Sequence, residues 1–156
     1  MVLANYTKWF IIIGLFLVIV FVLVFTYSSV FNQSSLDTLI INDSVLKVEQ
    51  AASPISQYLG LSNRASLCSD CAMLFTFDKS QERTFVMRDM LFPLDIIFIN
   101  QGKIVKIFEN LPPEGHEPKV KYSSGQPADS VLEVNAGYAR QHNFKIGDEL
   151  KYSFKK

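Results

Sequence analysis

Hydrophobic and polar positions divide this chain into stretches of different character. Trp9 to Phe25 read WFIIIGLFLVIVFVLVF without one polar side chain, and no charged residue lies between Lys8 and Asp37. A helix from Trp9 to Tyr27 has 19 residues, roughly 28 Å at 1.5 Å per residue, close to the thickness of a bilayer's hydrocarbon core. Tyr6, Trp9 and Tyr27 flank it, where amphipathic rings favour the headgroup region. A core helix of a small domain keeps a polar stripe, and this segment has none. A cleaved signal peptide has a shorter apolar run and a small-x-small cleavage site, so the pattern favours an uncleaved signal anchor over cleavage near Ser28 or Ser29.

Past the apolar run the period changes. Residues 28–43, SSVFNQSSLDTLIIND, read as a polar tether with a short apolar patch. From Ser44 the chain turns β-rich. SVLKVEQA alternates as a strand, and MLFTF, TFVMR, LDIIFI, KIVKIFE, VLEVNA and ELKYSF follow as further strands. SPISQYLGLSNR has Ser53 as N-cap, Pro54 at the first helical position and Gly60 near the end of a short helix. GYARQHN is a second short helix, NQGK at 100–103 a tight hairpin turn, and IGD at 146–148 a turn that launches the last strand. Residues 109–130 hold four prolines and two glycines, which predicts a long surface loop, extended only around Lys119–Tyr122. The expected fold is α+β and β-dominated: a compact barrel-like or rolled sheet of about seven short strands with two short helices, preceded by one transmembrane helix. The expected organisation is a cytoplasmic N-terminus (1–8), an anchor (9–27), a tether (28–43) and an extracytoplasmic domain (44–156).

Charge sets the orientation. Lys8 and the α-amino group precede the apolar run, while no Lys or Arg follows it until Lys47, so the positive-inside rule puts the N-terminus in the cytoplasm. Lys and Arg total 15, as do Asp and Glu, and no basic run occurs. This argues against nucleic acid as a partner and leaves the bilayer, through residues 9–27, and a small ligand or envelope protein.

The chemistry-bearing residues are few. Cys68 and Cys71 are the chain's two cysteines. A thioredoxin-like site needs a helix N-terminus after its first cysteine. Here a strand pattern follows and Asp70 is the flanking charge, so a disulfide staple or plain buried thiols are favoured over redox chemistry. A metal site would need His116 and His142 as further ligands, and they stand far apart in sequence. Asp95 is the one charge in PLDIIFI. Buried there it needs a partner. Two readings are open: an ion pair with Arg64 or Arg88, joined by Glu133 and Asn135 from VLEVNA, these four and Asp95 being the candidate binding residues, or a backbone cap after Pro93. Met73, Met87 and Met90 read as core or groove lining. No nucleophile–base pair and no phosphate-cradling glycine loop appears, and nothing points to a cofactor or a metal.

GLSNRASL, AMLFTF, FVMRDMLFPLDIIFINQGKIVKIFEN and DSVLEVNAGYARQHNFKIGDEL, in that order, resemble the family called domain of unknown function 192 over roughly Val45–Phe154. Where the family pattern has Gly-Leu-Met, this chain has Gly60-Leu61-Ser62, with Arg64 kept. Where it has Gly-Met-Leu-Phe, this chain has Ala72-Met73-Leu74-Phe75. Where it has Trp-Met-Lys-Asn-Thr, this chain has Val86-Met87-Arg88-Asp89-Met90. Pro93, Leu94, Asp95, Glu133, Asn135, Gly137, Gly147 and Asp148 match. The resemblance implies a small β-rich fold, often exported, and supplies no reaction. The expected function is a membrane-anchored, non-catalytic binding module. The alternatives are an enzyme built on the Asp95 and Glu133 carboxylates and a thiol–disulfide protein built on Cys68 and Cys71.

Overall fold

The run Leu94–Asn100 carries apolar residues at both parities, and the fold uses both. The computed structural model describes residues 37–153. The expected membrane anchor, residues 9–27, lies outside the described residues, with the N-terminal segment before it and the first part of the tether. The strands are β1 (Asp37–Ile41), β2 (Ser44–Ala51), β3 (Cys71–Phe85), β4 (Leu94–Asn100), β5 (Lys103–Leu111), β6 (Tyr122–Asn135) and β7 (Leu150–Ser153). Helix α1 (Pro54–Leu59) lies between β2 and β3, and α2 (Tyr138–Gln141) between β6 and β7.

All seven strands form one sheet in the order β5-β4-β6-β3-β2-β1-β7. Neighbours run antiparallel except β2 and β3, whose parallel pairing needs the crossover that α1 supplies. The sheet's outer strands approach at one corner, where Lys103 bridges Glu149 and the Ile104 and Leu150 amides donate to the Asp148 and Gly102 carbonyls at 2.9 and 2.8 Å. The result is a rolled, half-barrel sheet, as the strand count predicts.

Each face of the roll has its own core. The concave face gathers side chains from every strand, among them Leu39, Leu46, Leu74, Ile97, Ile99 and Leu132. The convex face of β3, β4 and β6 packs Met73, Phe75, Ile96, Phe98 and Val131 under Leu61, Met87 and Met90. Leu94 through Ile99 are buried on both sides, so β4 is the strand around which the molecule is built.

The structure corrects three boundaries. Residues 37–41, expected in the tether, form β1, with Leu39 and Ile41 fully buried between β2 and β7. The apolar patch in that stretch is core and not linker. MLFTF and Thr84–Phe85 of TFVMR belong to one long strand, β3, which bulges between Thr76 and Gln81 where the polar DKS interrupts the apolar pattern. The expected loop at 109–130 shrinks to residues 112–121, because β5 runs to Leu111 and β6 begins at Tyr122. Pro127 falls within β6, opposite Glu82 of β3. β4 pairs with β6 only over Ser130–Asn135, so at Pro127 the strand has a free side that needs no amide. The NQGK turn is as expected: Gln101 and Gly102 take φ of 50° and 71°, the two positive angles of a type I′ hairpin turn.

Candidate functional site

Asp95 is fully buried, but no arginine meets it. Its Oδ1 accepts from the backbone amides of Asn110 and Gly137 at 2.8 and 2.9 Å, and its Oδ2 from Ala139 at 2.9 Å. The carboxylate ties the end of β5 to the entry of α2 and satisfies amides that would otherwise be orphaned. The ion-pair expectation is therefore corrected, and the capping alternative is closer, although the capped segment is α2 and not the turn after Pro93.

The pairing register also separates the two carboxylates. Asp95 stands opposite Val134, and Glu133 stands opposite Ile96 and Met73. Val134 belongs to the concave core, and Ile96 and Met73 to the convex one. Asp95 and Glu133 thus face opposite sides of the sheet, and an enzyme using them as a carboxylate pair loses its geometry. Arg64 forks onto Glu49 instead, Nη1 to Oε2 at 2.6 Å and Nη2 to Oε1 at 2.7 Å. That hydrogen bonding, with the guanidinium charge, lowers the Glu49 pKa and raises that of Arg64. Asn135 donates Nδ2 to the Cys68 and Leu67 carbonyls at 2.8 and 3.3 Å. Cys68 and Cys71 form a disulfide, with Cα atoms 5.1 Å apart. With both sulfurs bonded to each other, the metal reading has no thiolate left. His142 instead meets Ser44 Oγ through Nδ1 at 2.8 Å and stacks on Tyr138, and His116 meets Asp89 at 3.2 Å.

Of the five predicted binding residues, Arg88 and Glu133 meet at a cavity. It has a volume of about 660 Å³ and opens between α1 and the distal half of β3. Ser53 caps α1 in a reciprocal box with Ser56, and Gln57 Nε2 fastens the helix to the Thr76 carbonyl at 2.8 Å. Gly60 ends the helix at φ 49°, and a Cβ there would sit 3.3 Å from the Phe75 ring in the cleft wall. Phe75, Phe77, Phe85 and Met90 supply the apolar lining. The β3 bulge brings Phe77 beneath Arg83, whose guanidinium lies 3.8 Å from the ring centroid. Arg83 Nε donates to the Ala128 carbonyl at 3.3 Å and Nη2 to that of Lys79. Burial lowers the Arg83 pKa. Arg88 stacks over Tyr58 at 4.0 Å and donates Nη2 to the Tyr58 carbonyl at 2.6 Å.

Glu133 closes the inner wall. It is 5% exposed, and burial pushes its carboxyl up to about 8 against the opposing pull of Arg64. Among the described residues its carboxyl has no hydrogen-bond partner. Near neutral pH it is mostly an uncharged carboxylic acid, able to donate or accept a hydrogen bond inside an aromatic wall. Sequence reasoning missed Arg83, Phe77 and Tyr58. The spacing of Ile55, Tyr58 and Leu59 along one short helix was a usable signal for α1. Arg83 gave none, because a bulge placed it.

Among the described residues, then, the class is a rolled β-sheet domain carrying an apolar cleft with a buried carboxyl in its wall and stacked arginines at its edge. The chain belongs to the domain of unknown function 192 family (uncharacterized ACR), whose sequence profile matches residues 38–152. A protein from Sinorhizobium meliloti 1021, provisionally described as a transcription regulator, has a similar crystal structure. The TM-score is 0.70 at 29% identity, covering 78% of this chain and 98% of that one. A protein of unknown function from Novosphingobium aromaticivorans DSM 12444 superposes with a TM-score of 0.68 at 28% identity, covering 73% of this chain and 83% of that one. No protein of curated function matches the chain.

Proposed function

We propose that this chain is a membrane-anchored, extracytoplasmic binding module whose cleft between α1 and β3 takes a small ligand. The observation that carries the reading is the cleft itself: about 660 Å³, aromatic-walled, with the buried Glu133 carboxyl in its inner wall. Pockets of a few hundred Å³ with apolar lining and a few convergent polar groups are the ordinary form of small-molecule sites. The cleft's lining holds no histidine or cysteine among the described residues, and Ser62 Oγ is committed to the Arg88 carbonyl at 2.9 Å. This favours binding over acyl or thiol chemistry. The uncharged span 9–27, with Lys8 before it, supports the anchor and its orientation.

The test is thermal unfolding of the protein against a small-molecule panel, in parallel with Thr84→Trp. Thr84 is an exposed cleft residue, so the indole fills the cavity without entering the core. Ligands that raise the wild-type midpoint and leave the variant unchanged are expected. A panel that stabilises both equally, or neither, overturns the reading.

A further inference from the structure

We propose that the cleft selects small amphiphilic anions, with an apolar body against Phe75, Phe77, Phe85 and Met90 and a carboxylate, sulfonate or phosphate end held by Arg88 and Arg83. The inference rests on the cleft being a ligand site and adds the class of ligand.

Its basis is the charge inventory. Among the described residues, neither Arg83 nor Arg88 forms an ion pair, whereas Arg64 is spent on Glu49 and Arg140 on Glu109. A guanidinium carries five N–H donors. Arg88 commits one to the Tyr58 carbonyl, and Arg83 commits two to the Ala128 and Lys79 carbonyls. Each arginine therefore keeps free donors at the cleft while its plane is fixed by stacking on an aromatic ring, which lowers the entropy lost when an anion is forked. The acids of the lining cancel only part of this charge. Glu82 accepts from Ser123 Oγ at 2.5 Å and stays an anion, but Glu133 is mostly uncharged at neutral pH, so two arginines face one carboxylate. The lining is then net positive, and the protonated Glu133 can donate to an oxygen of the ligand body without repelling its charge.

The opposite occupant is an organic cation, which would ionise Glu133 and sit among the rings. Two unpaired guanidiniums on the same cleft disfavour it. The experiment therefore varies charge on one body. The full-length chain in nanodiscs is titrated with 2-naphthoate, 2-naphthamide and 2-naphthylmethylammonium by calorimetry, with empty nanodiscs subtracted. Naphthoate is expected to bind about tenfold tighter than the amide, the ammonium weakest. Arg83→Gln combined with Arg88→Gln brings naphthoate down to the amide's affinity, and Arg88→Lys, which keeps the charge, retains most of the preference. An ammonium that binds as well as the naphthoate overturns the inference and leaves the cleft a ligand site, as does a preference that survives loss of both arginines. If none of the three binds at millimolar concentration, the ligand-site reading falls and the inference falls with it.

Discussion

At the scale of single residues, two buried carboxyls in adjacent strands do opposite work, and only one of them was placed by its sequence context. A lone Asp in PLDIIFI announces burial, and burial demands donors. The donors come from three backbone amides contributed by two distant segments. Side-chain type does not reveal that, so the sequence directs attention to arginines. Asp95→Asn keeps one acceptor oxygen and loses the other to an amide donor. It is expected to lower stability by about 1–3 kcal/mol in urea titrations, with no effect on ligand binding in the cleft. Glu133 behaves differently, because its pKa is raised from 4.5 to about 8. The folded state holds the proton more tightly than the unfolded chain. Its contribution to stability is thus full below about pH 4.5 and falls as pH rises toward 8, at up to about 1.4 kcal/mol per unit. Glu133→Gln should flatten that slope, so that unfolding curves of the variant at pH 5 and pH 8 differ less than those of the wild type. An unchanged difference would mean that Glu133 titrates as an ordinary surface acid.

Elements were legible where pattern and punctuation agreed and illegible where a bulge intervened. Ser53, Pro54 and Gly60 bounded α1 correctly, and the helix needs no core to form at that spot because its ends are capped. DKSQER, between MLFTF and TFVMR, reads as a break between strands, yet a strand can carry six polar residues across a bulge when its partner β6 continues. The same bulge bends β3 into the cleft wall, so the error in the element and the miss of Arg83 have one cause. α1 buries none of its residues, and Ile55, Tyr58 and Leu59 are exposed at 73%, 63% and 55%. It is held by its caps, by Gln57 and by the stacking of Arg88. Such an element opens at low free energy. Amide hydrogen exchange in α1 is expected to run at least about a hundredfold faster than in β4 and β6, and to slow when the cleft is filled. Core-like protection of α1 in the empty protein would show that the cleft has no movable cover.

For the whole molecule, the rolled sheet follows from strand count and the two-sided apolar run of β4, while closure of the roll depends on β1, whose five residues are too short to stand out beside a polar tether. Location is a question of the entire chain, and its two cysteines give the means to answer it. They lie in a tight loop, Cys71 N donating to the Cys68 carbonyl at 3.1 Å, with Asn135 holding the loop from β6. A bridge across so short a span adds only about 2 kcal/mol in the chain-entropy picture, so Cys68→Ser should fold and lose about that much. The cytosol keeps such thiols reduced, and the envelope oxidises them. Cells are quenched in acid, denatured and treated with a maleimide–polyethylene glycol reagent. With residues 44–156 outside the membrane, the chain is expected to gain no mass before reduction and two adducts after it. Two adducts without reductant would place Cys68 and Cys71 on the cytoplasmic side, reverse the orientation drawn from Lys8, and leave the disulfide as a contact that the cell does not form.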